Sequence, residues 1–208
     1  MKKLLALITS IAVLASTIQV SAQTNATTLE WLFGNGLTRY SNMNEFRPND
    51  SITRGEMSKF VTKYAEYKNL TKNYTQCNFN DIAGYDPTLE PTIIEACEYG
   101  LLKGSGNTYN PNGNVTEAQA ITVVVRSLWG FLDETGAYRR QPYYEAGAAL
   151  GIINGESLLW VDGTNITRIK MGKWFYLAAA QSAQDVQNLD GEEQLRSILQ
   201  DIFGDIQL

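Results

Sequence analysis

The chain has 208 residues, 44% of them hydrophobic and 19% charged, which is enough apolar material for a core in one or two globular domains. Setting aside Lys2 and Lys3 with a cleaved leader leaves 15 basic against 22 acidic side chains, and that balance argues against nucleic acid or an anionic membrane as partner. Histidine is absent, which removes the commonest general base, zinc ligand and Ser/Cys-triad partner; no catalytic residue, metal or cofactor is expected.

Residues 1–22 read as a secretory signal peptide. Lys2 and Lys3 lead an apolar run from Leu4 to about Leu14, and Val20-Ser21-Ala22 supplies a small-residue cleavage site. Thr9, Ser10, Ser16, Thr17 and Gln19 interrupt the run, and no later segment reaches roughly 18 unbroken apolar residues, so no transmembrane segment is expected after cleavage. Export also favours a disulfide between the two cysteines, Cys77 and Cys97, over two separate buried thiols.

Residues 23–68 form a first unit. Leu29, Leu32 and Phe33, with Trp31 beside them, give a short helix from Thr27 to Leu37 that Gly34 and Gly36 close, and an open loop runs from Thr38 to Ser51. Thr53 then caps a helix to about Tyr67 whose Met57, Phe60, Val61 and Tyr64 share a face, and Glu56 stands where it completes a capping box. Arg54 is thereby held at a helix N-terminus, facing outwards.

Residues 79–130 repeat the plan. Phe79-Asn80-Asp81-Ile82 leads in, a helix spans Pro91 to Tyr99, and Gly100 stops it. After Tyr109-Asn110-Pro111, Thr116 and Gln119 make a second capping box, followed by Ile121, Val124, Val125 and Leu128 on one face. Residues 138–181 form the third unit, with a helix from Tyr143 to Leu150, the stop at Gly151, a loop carrying Trp160, and Thr167 capping a helix that buries Met171, Trp174, Phe175 and Leu177.

The register makes this a threefold repeat. Gly36, Gly100 and Gly151 precede Ile52, Val115 and Ile166 by 16, 15 and 15 positions, while Phe46, Tyr109 and Trp160 each precede them by six. No unit can bury its apolar face alone, so the long helices are expected at a common centre with the loops outward.

Phe46-Arg47-Pro48 followed by Ile52-Thr53-Arg54-Gly55-Glu56 resembles the hallmark of the S-layer homology domain family, an aromatic-x-Pro loop before Ile-Thr-Arg-Ala-Glu. The lead-in Phe79-Asn80-Asp81-Ile82 and the turn Gly100-Leu101-Leu102-Lys103-Gly104 are similar to further family elements. Later units depart from the motif: Glu117 and Gln119 replace its Arg and Glu, Arg168 is kept, and Lys170 replaces the Glu. The resemblance implies a mainly α fold of three helix–loop–helix repeats in a pseudo-threefold, three-pronged helical bundle.

It further implies an exported module at the bacterial cell surface, cell wall or periplasm. Such a module binds secondary cell-wall polysaccharide or peptidoglycan non-covalently and anchors the protein at the cell envelope. The alternative is a structural or adaptor envelope protein that uses a degenerate form of the fold for protein contacts.

The motif arginine of the family meets an acidic sugar, and the matching residues here are Arg54 and Arg168, with Thr53, Glu56 and Trp31 completing the candidate glycan site. A guanidinium matches a carboxylate's two oxygens, and a helix N-terminus adds free N–H groups and the dipole. The plain alternative pairs each arginine with a carboxylate such as Glu56 or Asp162. Glu117 would repel an acidic ligand, so at most two of three grooves are expected to bind one. Phe46, Tyr109 and Trp160 are expected to pack the loops, and Phe60, Trp174 and Phe175 to be core.

An enzyme is not expected: Glu90, Glu95 and Glu98 read as a solvated helical face rather than a glycosidase pair. The Asn-x-Ser/Thr triplets at Asn25, Asn49, Asn69, Asn73, Asn114 and Asn165 read as by-products of Asn-rich loops and Thr caps. Residues 182–208 form an amphipathic C-terminal tail through Leu195, Ile198, Leu199, Ile202, Phe203 and Ile206. That tail either docks back on the bundle or takes an envelope protein partner.

Overall fold

A computed structural model describes residues 24–181 apart from 75, 136 and 154–162. The expectations for the leader, for Trp160 and for the 182–208 tail lie outside the described residues. Among the described residues the protein is helical, with isolated bridges in place of a sheet.

Helix α1 (Asn25–Gly34) starts two residues before the expected point because the Thr24 hydroxyl accepts the Thr27 N–H. The stretch expected as an open loop holds a single turn of helix, α2 (Met43–Phe46). The Asn42 side chain accepts the Glu45 N–H and caps the turn, which drives Phe46 into the core. Helix α3 (Arg54–Tyr67) carries the full capping box of Thr53 and Glu56, and α5 (Glu117–Trp129) carries that of Thr116 and Gln119.

The shorter α4 (Glu90–Glu98) and α6 (Gln141–Ala149) use proline in the first turn instead of a side-chain cap. A last helical run covers 168–181, where the Thr167 hydroxyl accepts the Lys170 N–H at 3.3 Å. The stop glycines Gly36, Gly100 and Gly151 share a left-handed backbone, φ 72°, 72° and 66°, that a side chain would strain.

The starts of the three long helices meet in a closed ring of backbone hydrogen bonds. Ile52 N–H donates to the Ile166 carbonyl at 3.2 Å, Ile166 to Val115 at 2.9 Å, and Val115 to Ile52 at 3.0 Å. All three aliphatic side chains are fully buried, so the ring is dry and its hydrogen bonds do not compete with water. A second tier surrounds it: Arg54 N–H donates to the Gly113 carbonyl at 2.8 Å, Glu117 to Thr164 at 2.8 Å, and Arg168 to Asp50 at 3.0 Å.

From that ring the helices pack around a common core. Ser58 and Thr92 share a 2.7 Å hydrogen bond between α3 and α4. Gly147 lets α6 approach α5, since a Cβ there would lie 2.6 Å from Ile121 Cδ1. Gly172 seats the 168–181 run against Leu32 of α1 in the same way, and Phe175 meets Tyr64 of α3 with ring centres 4.7 Å apart. Cys77 and Cys97 form a disulfide with Cα atoms 5.8 Å apart, pinning the linker after α3 to α4. No helix among the described residues is long and apolar enough to cross a membrane.

Candidate ligand-binding cleft

Arg54 sits at the first position of α3, but its neighbours fix it more firmly than a surface cation. Its Nε donates to the Tyr109 carbonyl at 2.7 Å and its Nη2 to the Lys103 carbonyl at 3.0 Å, with the guanidinium 4.5 Å from the Tyr109 ring centre. The Tyr109 segment is itself held by Asp81, whose two carboxylate oxygens accept the Tyr109 and Asn110 N–H groups at 2.8 and 2.7 Å. Desolvation pushes the Asp81 carboxyl up, but these N–H donors and Arg54 outweigh it and hold it below the usual carboxylate range.

These contacts place Arg54 on the wall of a cleft of about 410 Å³. The cleft is bounded by the start of α3, the turn after α4, the body of α5 and the segment leading into α6. Lys103, Arg126, Arg139 and Arg140 share its wall, and Glu134 is the one carboxylate among its described lining residues. In a chain with a net charge of −5, a concave site with five cations concentrates positive potential.

Arg126 is oriented by a half-buried network. It donates to Glu134 at 2.5 Å and to the Tyr143 hydroxyl at 3.2 Å, and that hydroxyl donates to Glu134 at 2.6 Å. Burial pushes Glu134 up, while Tyr143 and Arg126 pull it down further, leaving it below its ordinary value.

The positions equivalent to Arg54 behave differently. Arg168 is buried and its Nη2 bonds Glu56, so its charge is spent inside the fold. Glu117 is buried as well and accepts from Lys170 Nζ at 2.7 Å. The expected repulsion by Glu117 therefore has no exposed carboxylate behind it. These two seams carry ion pairs of opposite polarity, whereas the motif carboxylate that should face Arg54 is replaced by Gln119, a neutral residue on the cleft wall. Arg54 is held by the Tyr109 and Lys103 carbonyls in place of a carboxylate.

The other expected site residues lie elsewhere. Thr53 and Glu56 are engaged in the α3 cap, with Thr53 N–H donating to Glu56 at 3.1 Å. Trp31 sits edge-on to Tyr67 and Tyr176, at 5.7 and 5.4 Å, away from the cleft wall. The helix N-terminus does not offer free N–H groups to an anion either: those of Arg54 and Gly55 donate to Gly113 and Pro111, and that of Glu56 to the Thr53 hydroxyl. Sequence reasoning missed Lys103, Arg126, Arg139, Arg140 and Glu134. The Arg139-Arg140 pair and the Lys103 turn were the visible signals.

A motif turn joined to the arginine of a capped helix start matches the pattern of a known family, and the S-layer homology domain model matches residues 27–58 and 78–121. Those two segments are similar to S-layer homology domains. The third seam, at Thr167, lies beyond the matched residues and joins the other two through the hydrogen-bond ring. The amylopullulanase of Thermoanaerobacterium thermosulfurigenes is 30% identical over 95 residues, which is 43% of this chain and 5% of that protein. The exoglucanase XynX of Acetivibrio thermocellus is 30% identical over 94 residues, 43% of this chain and 8% of that protein. The chain thus matches a small part of each relative. An S-layer homology domain implies cell-envelope anchoring in general.

Proposed function

We propose that the chain binds an anionic cell-wall polysaccharide, non-covalently and without catalysis, through the cleft that contains Arg54. The observation that carries this reading is the charge pattern of the three seams. Arg168 and Lys170 are neutralised by buried or half-buried partners, while Arg54 faces a cleft with four further cations. A carboxylate or phosphate on a sugar would gain charge-assisted bonds there, in a concave site partly shielded from solvent. One strong site per molecule is expected rather than three.

A binding rather than catalytic role is supported by the carboxylates of α4. Glu95 and Glu98 both reach Lys72, at 3.5 and 2.9 Å, so these carboxylates are taken up by an ion pair on a half-exposed helix face. Pull-down on purified cell-wall sacculi, comparing wild type with Arg54→Ala and Arg54→Lys, tests the proposal. Wild-type binding that falls at least tenfold in Arg54→Ala is the expected result, with only partial recovery in Arg54→Lys because lysine lacks the fork. No binding by wild type would sink it.

A further inference from the structure

We infer that an uncharged sugar residue of the same polymer occupies a second subsite, across the Lys103-Gly104 turn from the cation cleft. This rests on the polysaccharide reading above and extends it to the ligand's next residue. A depression of about 480 Å³ lies on the far side of that turn, and Lys103 and Gly104 line both hollows. That volume is within the range of ligand clefts, roughly 300–1,000 Å³.

The two hollows differ in chemistry. Gln76, Asn78 and Asn107 line the second one together with the half-buried rings of Tyr74 and Phe79, and Lys103 is its one charged residue. The three side-chain amides are exposed and have no hydrogen-bonding partner among the described residues. An amide offers both a donor pair and an acceptor, which suits vicinal hydroxyls, and an aromatic ring suits the C–H face of a sugar. A wall with amides and rings but one cation selects a neutral group.

The walls are also held in place before any ligand arrives. The Cys77–Cys97 disulfide fixes the segment that bears Gln76 and Asn78 to α4. Opposite it, Asn80 N–H donates to the Asn107 carbonyl at 2.8 Å. The turn between the hollows packs tightly on its neighbours at Gly104, where a Cβ would lie 2.4 Å from the Thr108 carbonyl and 2.5 Å from the Phe79 ring. That close packing fixes the spacing between the two hollows that one polymer would span.

The probe is acidic polysaccharide released from sacculi and fractionated into its shortest acidic fragment and longer ones. Wild type should bind a longer fragment about tenfold more tightly than the shortest, as expected for a few added hydrogen bonds. The double variant Gln76→Ala/Asn107→Ala, altered only at exposed positions, should bind both equally. In NMR spectra the side-chain amides of Gln76 and Asn107 should shift with the longer fragment alone. If the longer fragment shifts Arg54 but leaves those amides unmoved, or if the double variant keeps the tenfold preference, the second subsite is wrong and the cation cleft stands. If neither fragment shifts Arg54 or Lys103, the cleft reading fails and this inference fails with it.

Discussion

Arg168 and Glu56, 112 positions apart in the sequence, are joined by a charge-assisted hydrogen bond at the seam between the first long helix and the last. Glu56 also accepts the Thr53 N–H, so one carboxylate closes the α3 cap and locks the 168–181 run against it. Removing one partner of a buried ion pair costs about 3–5 kcal/mol. Glu56 keeps 27% side-chain exposure and its bond to Thr53, which lowers the expected loss for Arg168→Ala to about 2–3 kcal/mol. Urea denaturation should report that loss, while sacculus binding per folded molecule stays unchanged. Intact stability with lost binding would return Arg168 to the ligand site.

The next seam carries the same kind of contact with its charges exchanged, Glu117 standing in place of the arginine and Lys170 in place of the glutamate. Glu117 has 4% side-chain exposure, so a second carboxylate beside it would be far costlier than on the surface. Lys170→Glu should destabilise by at least about 2 kcal/mol. The double exchange Glu117→Arg/Lys170→Glu, which restores the family motif, should recover most of that loss. Thermal denaturation of the single and double variants measures the coupling, and additive losses would show that the two residues do not act as a pair.

The parts of this fold that a local signal encodes were readable in the sequence. Thr53 with Glu56 and Thr116 with Gln119 announce helix starts, and the recurring stop glycines announce helix ends, because caps and left-handed turns depend on residues a few positions apart. The Asn42 cap was passed over because one turn of helix has no periodicity to detect. The cleft was legible only in part. Arg54 stood out by its motif, but Lys103 meets it from 49 positions away and Arg126 meets Glu134 and Tyr143 from 8 and 17, spacings that no local pattern links. Gly55, which replaces the motif's alanine, is explained by a remote contact as well, since a Cβ there would lie 2.7 Å from the Tyr85 ring.

The disulfide spans 20 positions and ties a linker to α4, but it does not touch the ring of Ile52, Val115 and Ile166. A loop of that size is worth about 3 kcal/mol in the unfolded chain. The double variant Cys77→Ser/Cys97→Ser should therefore melt at a lower temperature yet keep its helical circular dichroism at 25 °C, because the core contacts remain. Loss of helical signal at that temperature would mean that the linker, not the ring, organises the bundle.

With no histidine in the chain, little should titrate between pH 5 and 8, and stability should be nearly flat across that range. Below it, Glu134 sets part of the slope. Its folded pKa lies under the ordinary value of 4.5, so the folded state holds the ionised form more strongly than the unfolded chain does. The stability it contributes is complete above that ordinary value and is lost as the pH falls through the lower folded one. Protonation releases Arg126 and leaves the Tyr143 hydroxyl to find another acceptor. Glu134→Gln should accordingly be less stable than wild type at pH 7 and should converge on it toward pH 3, with a shallower acid slope in urea titrations. Parallel curves at all pH values would show that the Arg126–Glu134–Tyr143 network contributes no pH-dependent stability.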